Sequence, residues 1–142
     1  MGCSSSTRGI FSGGGNPVRS NVIDFVTFSS TGDAQDFGDL TVARSEFVAF
    51  SSATRGIAAG GSPGPSVTNV IDYITIASTG NAQDFGDVTS TAKEQLSGSC
   101  SSTRGVFAGG YHSPGVYVNV IEYITIASTG DATDFGDLTE AR

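Results

Sequence analysis

The 142-residue sequence has no tryptophan, one methionine and one histidine, His112. Its two cysteines, Cys3 and Cys100, stand just before the first and the last Thr-Arg-Gly segments, and neither belongs to a CxxC motif. Phe50 stands in the corresponding part of the middle segment, so we expect small buried thiols rather than a disulfide framework or a metal site. Because no Ser-His-Asp, Cys-His or GxxxxGK spacing is present, the sequence predicts no cofactor and no enzyme.

Positive charge is scarce as well. Seven Lys and Arg residues against fourteen Asp and Glu residues give a net charge of −7, and the basic residues are scattered. An acidic surface repels the phosphate backbone, so we predict no nucleic-acid partner. No apolar run approaches the roughly 18–20 residues that cross a bilayer, and the first residues lack the apolar core of a secretory signal. We therefore expect no membrane partner.

Helical periodicity is also missing. No window places apolar residues repeatedly at i, i+3, i+4 and i+7. The sequence holds 20 glycines, 37% hydrophobic residues and only 15% charged residues, which suits short strands joined by tight turns. We predict an all-β fold.

Repetition is what the sequence has in abundance. A segment that begins Asn-Val-Ile starts at Asn21, Asn69 and Asn119, and each copy follows a Thr-Arg-Gly segment. A period of about 50 residues is typical of a repeat architecture. The single domain divides into repeats 1–44, 45–92 and 93–142.

Each repeat contains four strand-like pieces. The third piece, 70–77 in the middle repeat, is rich in β-branched and aromatic residues and carries apolar side chains on both faces. That pattern predicts a strand in a sheet that packs between two other sheets.

The second piece of each repeat ends in two glycines, and an aromatic residue follows in the third piece after a variable loop. This arrangement resembles the kelch repeat, which implies that each repeat is a four-stranded blade of a β-propeller. The matching residues are Gly13 and Gly14 with Phe25, Gly60 and Gly61 with Tyr73, and Gly109 and Gly110 with Tyr123.

Other parts of the kelch pattern are matched less well. Arg44 and Arg142 resemble the arginine that follows the fourth kelch strand, whereas Ala92 stands there in the middle repeat. The kelch tryptophan is missing, and the resemblance implies that a phenylalanine takes its place in each repeat. Those phenylalanines are Phe37, Phe85 and Phe135. The wording STG-x-A-x-DFGDLT is also similar to kelch-like proteins of tailed phages of marine bacteria, which implies a virion or attachment role.

Three blades are too few for an ordinary propeller, which needs about four to eight. We expect two chains to join head to tail as a homodimer with six blades. The alternative is a closed three-fold monomer, a β-trefoil or a β-prism.

An acidic turn recurs between the third and fourth pieces. Oxygen ligands at a spacing of three residues suggest Ca²⁺, but the EF-hand spacing is absent, so we favour side chains that bind backbone amides in the turn. The residues are Asp33, Asp36 and Asp39, then Asn81, Asp84 and Asp87, then Asp131, Asp134 and Asp137.

The arginine of each Thr-Arg-Gly segment is a second repeated feature. Arg8, Arg55 and Arg104 could bind an anionic ligand, but a bidentate pair with a carboxylate of the same or the adjacent repeat is the favoured interpretation.

The variable loop is the best place for recognition through side chains. It contains all four prolines and, in the third repeat, Tyr111, His112 and Tyr117. Copper enzymes of the galactose-oxidase kind share the kelch repeat, but their ligand set needs two histidines and only His112 exists.

Two classes of function stay open at this point. The favoured class is a non-enzymatic structural or interaction scaffold that assembles with itself or with a protein receptor. The alternative is a lectin-like module that binds a surface glycan through the variable loops.

Overall fold

The structure, a computed structural model, describes residues 1–15, 17–89, 91–112 and 114–142. This part of the chain contains fourteen β-strands and no helix, which confirms the all-β prediction. The strands are β1 (Gly2–Ser4), β2 (Arg8–Ser12), β3 (Val22–Thr27), β4 (Gln35–Asp39), β5 (Val48–Ser51), β6 (Arg55–Ala59), β7 (Val70–Thr75), β8 (Gln83–Asp87), β9 (Ser97–Cys100), β10 (Arg104–Ala108), β11 (Tyr111–His112), β12 (Val116–Tyr117), β13 (Val120–Thr125) and β14 (Thr133–Asp137).

Twelve of these strands form three antiparallel four-stranded sheets. The N sheet has the order β1-β2-β3-β4, the middle sheet β5-β6-β7-β8 and the C sheet β9-β10-β13-β14. Each sheet lies within one of the three predicted repeats, and its strands follow one another in chain order. Between β10 and β13 the chain forms the small β11–β12 hairpin, which is a separate two-stranded sheet.

A glycine pair follows the second strand of each sheet. Gly60 has a φ of +67°, which favours glycine, and its amide donates to the carbonyl of Val70. A Cβ atom there would lie 2.6 Å from the carbonyl oxygen of Lys93. Glycine therefore allows the backbone to leave the strand and to pass close to the chain at the start of the next repeat.

The core consists of two clusters on opposite faces of the middle sheet. One cluster joins the N sheet to the middle sheet and includes Ile10, Phe37 and Ile76. The other joins the middle sheet to the C sheet and includes Phe85 and Phe107. The middle sheet is thus packed between two other sheets, as the apolar residues on both faces of β7 predict.

The sheets also approach one another along their first strands, because β1 lies against β5 and β5 lies against β9. No sheet in the described part of the chain is closed on itself. Two cores on opposite faces of one sheet differ from the single shared core that the closed three-fold alternative requires.

Candidate functional site

A buried polar contact connects the N sheet to the middle sheet. Asp72, on β7, accepts a hydrogen bond from Arg44 Nη2 at 2.9 Å and another from Thr41 Oγ1 at 2.6 Å. Arg44 Nη2 also donates to the carbonyl of Ala58 at 3.1 Å. Arg44 and Asp72 are fully buried, and a β-bulge at Asp72 shifts the register between β7 and β8. We call Thr41, Arg44 and Asp72 the first junction.

The same contact recurs between the middle sheet and the C sheet. Glu122, on β13, accepts hydrogen bonds from the backbone N–H of Thr89 at 2.6 Å and from its hydroxyl. Lys93 Nζ forms an ion pair with Glu122, and both side chains are buried. We call Thr89, Lys93 and Glu122 the second junction. The assignment of Ala92 to the place of Arg44 was wrong, because the segment is one residue longer here and Lys93 takes that place.

The C sheet carries a threonine and a basic residue equivalent to those of the two junctions. Arg142 has the backbone position of Arg44 and Lys93, since its main-chain oxygen accepts a hydrogen bond from the second glycine of the pair, Gly110, at 2.8 Å. The corresponding distances are 3.0 Å for Arg44 and 2.7 Å for Lys93. Thr139 precedes Arg142 as Thr41 precedes Arg44. Both Arg142 and Thr139 are exposed.

The N sheet carries a residue equivalent to the acid of the two junctions. Asp24 on β3 matches Asp72 in its strand position, in its bulge and in its pairing opposite the second strand. Within the described ranges, the structure places no hydrogen-bond or ion-pair partner at the side chains of Asp24, Thr139 or Arg142.

A backbone contact accompanies each junction. In it, backbone amides of the acidic turn of one repeat donate hydrogen bonds to the fourth strand of the preceding repeat. Gly80 N–H donates to the carbonyl of Phe37 at 2.7 Å, and Ala82 N–H donates to that of Asp39 at 2.8 Å. The packing is close, because a Cβ atom at Gly38 would lie 2.5 Å from the carbonyl oxygen of Gly80. We call this contact the glycine clip.

The second junction repeats the glycine clip. Gly130 N–H donates to the carbonyl of Phe85 at 2.7 Å, and a Cβ atom at Gly86 would lie 2.5 Å from the carbonyl oxygen of Gly130. Gly136, the equivalent of Gly38 and Gly86 in the third repeat, has open space around the Cβ position.

The polar side chains of the acidic turns bind amides within and between repeats. Asp39 N–H donates to Asn81 Oδ1 at 3.1 Å, and Asp87 N–H donates to Asp131 Oδ1 at 3.0 Å. Asp84 accepts from the amide two residues later, as does its counterpart in the third repeat. The described residues contain no group of three or more His, Cys, Asp or Glu side chains arranged to hold a metal ion.

The arginines of the Thr-Arg-Gly segments do not pair with carboxylates in the described part of the chain, so that prediction was wrong. Arg8 Nη1 donates to the carbonyl of Ile76 at 2.8 Å, and Arg55 Nη1 donates to that of Ile126 at 2.9 Å. Both bonds cross to the next sheet. Each guanidinium also lies over the aromatic ring of its own repeat, 4.5 Å from the centroid of Tyr73 in the case of Arg55. Arg104 lies over its ring in the same way.

The outer face of the N sheet exposes apolar side chains that are buried elsewhere. Phe28 is 60% exposed, whereas its equivalents Ile76 and Ile126 are each 1% exposed. Phe11 is 55% exposed, whereas its equivalent Phe107 is fully buried against the middle sheet. Together with Asp24, these side chains define the open N face.

The outer face of the C sheet shows the complementary exposure. Phe135 is 54% exposed, whereas Phe37 and Phe85 are each 2% exposed. The C sheet also borders a hollow of about 470 Å³ that is lined in part by Ala108, Leu138 and Arg142. We call this surface the open C face.

The predicted ligand residues of the third repeat form the β11–β12 hairpin. Tyr111 pairs with Tyr117 across the hairpin, and their rings meet edge to face with centroids 5.4 Å apart. His112 is half-buried, and Tyr117 is exposed. The residues of this hairpin are not among those that define the open C face. The only sign of the hairpin in the sequence is the strand propensity of two short segments that contain tyrosine.

The two cysteines differ in their surroundings. Cys3 is half-buried, and burial raises the pKa of its thiol to about 11. Cys100 is exposed on β9, which corrects the expectation of two buried thiols. The residues that the structure describes include no helix long and apolar enough to cross a membrane.

No protein-family model matches the sequence, and no curated protein is significantly similar to it.

Proposed function

We propose that this chain is a non-enzymatic structural scaffold that completes itself with a second copy. The observation that carries the proposal is the pair of open faces. The open N face carries the equivalents of the residues with which the middle and C sheets contact the sheet before them. The open C face carries the equivalents of the residues with which the N and middle sheets contact the sheet after them. A C face docked on an N face would therefore form a third junction of the same kind.

The apolar exposure supports association. Large exposed apolar patches on a soluble protein mark interaction sites, because their burial is favourable at roughly 25 cal/mol per Å². Phe28 and Phe135 belong to opposite ends of the array, so one contact buries both types of patch.

A head-to-tail contact either closes into a ring or continues as a filament. Propellers close with about four to eight blades, and six is the only multiple of three in that range. We therefore propose a homodimer with six four-stranded blades in one ring. The close approach of β1, β5 and β9 supports this arrangement, since the first strands of propeller blades line a common axis.

A place in a virus particle, as a virion or attachment component, is the narrower form of this proposal. It rests on the similarity of the STG-x-A-x-DFGDLT segments to kelch-like phage proteins. A rigid ring with short, protected edges suits such a role.

Light scattering coupled to size exclusion tests the scaffold proposal. We expect a mass of twice 14.4 kDa that stays constant over a wide range of concentration. A chain that stays at 14.4 kDa at every concentration would overturn the proposal, and a mass that grows steadily would replace the ring with a filament.

Glycan binding by the β11–β12 hairpin is the second candidate. It is favoured by the exposed ring of Tyr117, which meets the ring of Tyr111 edge to face. Binding to a panel of immobilised glycans that is lost in Tyr117→Ala would support it, and no binding to any glycan of the panel would contradict it.

A further inference from the structure

We propose that two copies of this chain are held in register by a buried polar contact between Arg142 and Thr139 of one copy and Asp24 of the other. This inference rests on the proposed scaffold function and adds the residues that recognise the partner. It is drawn from the two junctions inside the chain, where the same three positions meet.

The chemistry of the two internal junctions is alike although the residues differ. An acid on the third strand accepts from a threonine and from a base that follow the preceding fourth strand. The acid is Asp72 in one junction and Glu122 in the other, and the base is Arg44 or Lys93. Both the acid and the base differ between the two junctions, but the charges are the same. This indicates that the ion pair, rather than one particular side chain, is the common feature of the junctions.

Arg142 is positioned for the same contact before any partner arrives. Its amide donates to the carbonyl of Val118 at 3.3 Å and its main-chain oxygen accepts from Gly110, so its backbone is fixed, whereas the residue is exposed. The backbone of Asp24 is likewise fixed, because it lies on β3, which pairs with β2 and with β4.

The surroundings of Asp24 also favour a cationic partner. Phe11 lies opposite Asp24 on the neighbouring strand, as Ala58 lies opposite Asp72. Docking would cover Asp24 with apolar surface, and a carboxylate buried without a cationic partner is strongly unfavourable. A second copy supplies both the cover and the cation. Any partner of other chemistry would have to supply the same cation and hydroxyl at the same spacing.

A charge-exchange experiment tests this contact. Arg142→Glu places two acids together at both contacts of a homodimer, and Asp24→Lys places two bases together. We expect each variant alone to dimerise at least about 100-fold more weakly than the original chain, because one partner of a buried pair has been removed.

An equimolar mixture of the two variants gives the sharper result. In the mixed dimer, Glu at 142 meets Lys at 24 in one contact, and the original Arg142 meets the original Asp24 in the other. We expect light scattering to show the dimer restored in the mixture only. Circular dichroism of each variant checks folding, and Asp24→Asn with Arg142→Met provides a second, uncharged pair of variants.

The outcomes separate this inference from the scaffold proposal. If the original chain is a dimer and both charge variants dimerise equally well, the scaffold stands and the ion pair is wrong. If both variants are monomers and their mixture is also a monomer, the pairing of Asp24 with Arg142 is again wrong. If the original chain is itself a monomer, the scaffold proposal fails and this inference fails with it.

Discussion

Arg44 Nη2 lies 2.9 Å from Asp72 Oδ2, and the two fully buried side chains join consecutive four-stranded sheets. Burial lowers the pKa of the Arg44 guanidinium, and the neighbouring carboxylate of Asp72 opposes that change. The pair also has a hydroxyl partner in Thr41. Burial of such a pair adds little net stability, because the desolvation of both charges offsets their attraction, whereas the loss of one partner is costly.

Removal of one partner should be costly. We predict that Asp72→Ala lowers the free energy of unfolding by about 3–5 kcal/mol, because it leaves the Arg44 cation buried without a counter-charge. Urea denaturation measures the change. Asp36→Ala is the control, since Asp36 is exposed, and it should change stability by no more than about 0.5 kcal/mol. Equal effects of the two substitutions would contradict the structural role of the pair.

The glycine clip allows a matched comparison. Gly38 and Gly136 have similar φ values, +144° and +137°, but only Gly38 faces a neighbouring backbone, at 2.5 Å from Gly80. We predict that Gly38→Ala is less stable than Gly136→Ala by at least about 1–3 kcal/mol, the usual cost of overpacking. The comparison is made in the Arg142→Glu background, where the chain is expected to be a monomer.

Gly136→Ala in the otherwise original chain should instead weaken the dimer. In the proposed assembly its methyl group would meet Gly32 of the second copy. Light scattering over a dilution series measures the dissociation constant. An unchanged constant would show that the third junction does not reproduce the glycine clip.

Phe85 and Phe135 form a second matched pair. Phe85 is buried, so Phe85→Ala should destabilise the fold by about 3–5 kcal/mol. Phe135 is exposed on the open C face, so Phe135→Ala should leave the stability of the monomer nearly unchanged and reduce dimerisation. A fully stable dimer of Phe135→Ala would place the interface elsewhere.

Thiol reactivity should separate the two cysteines. With a pKa of about 11, the Cys3 thiol is ionised at pH 8 to a fraction on the order of one in a thousand, and it is half-buried. We predict that iodoacetamide modifies Cys100 first in the folded monomer, and that the rate at Cys3 rises about tenfold for each pH unit up to about pH 10. Mass spectrometry of Cys3→Ser and Cys100→Ser assigns the sites, and a faster reaction at Cys3 at pH 8 would contradict the prediction.

The repeat and its strands could be predicted from the sequence because the signals are local. β-branched runs, glycine pairs and turn residues mark each strand of a repeat such as 70–77. The contacts between repeats were harder to predict, because the acid of each junction lies inside an apolar strand and looks like an ordinary alternating polar position.

The charge pattern at the repeat period is the signal in the sequence that points to the junctions. Asp24, Asp72 and Glu122 keep a negative charge at one position, and a basic residue follows each fourth strand. The basic position was missed in the middle repeat because a one-residue insertion moves it to Lys93. The carbonyl partners of Arg8 and Arg55 leave no trace in the sequence, since every residue has a carbonyl group.

Amide hydrogen exchange at Gly32 and Ala34 tests the central claim most directly. These residues match Gly80 and Ala82, whose amides are bonded to the preceding sheet within the chain. We predict that Gly32 and Ala34 are protected at concentrations where the chain is dimeric and exchange freely on dilution, while Gly80 and Ala82 are protected throughout. Free exchange of Gly32 and Ala34 in the dimer would contradict the proposal that a second copy repeats the contacts found inside the chain.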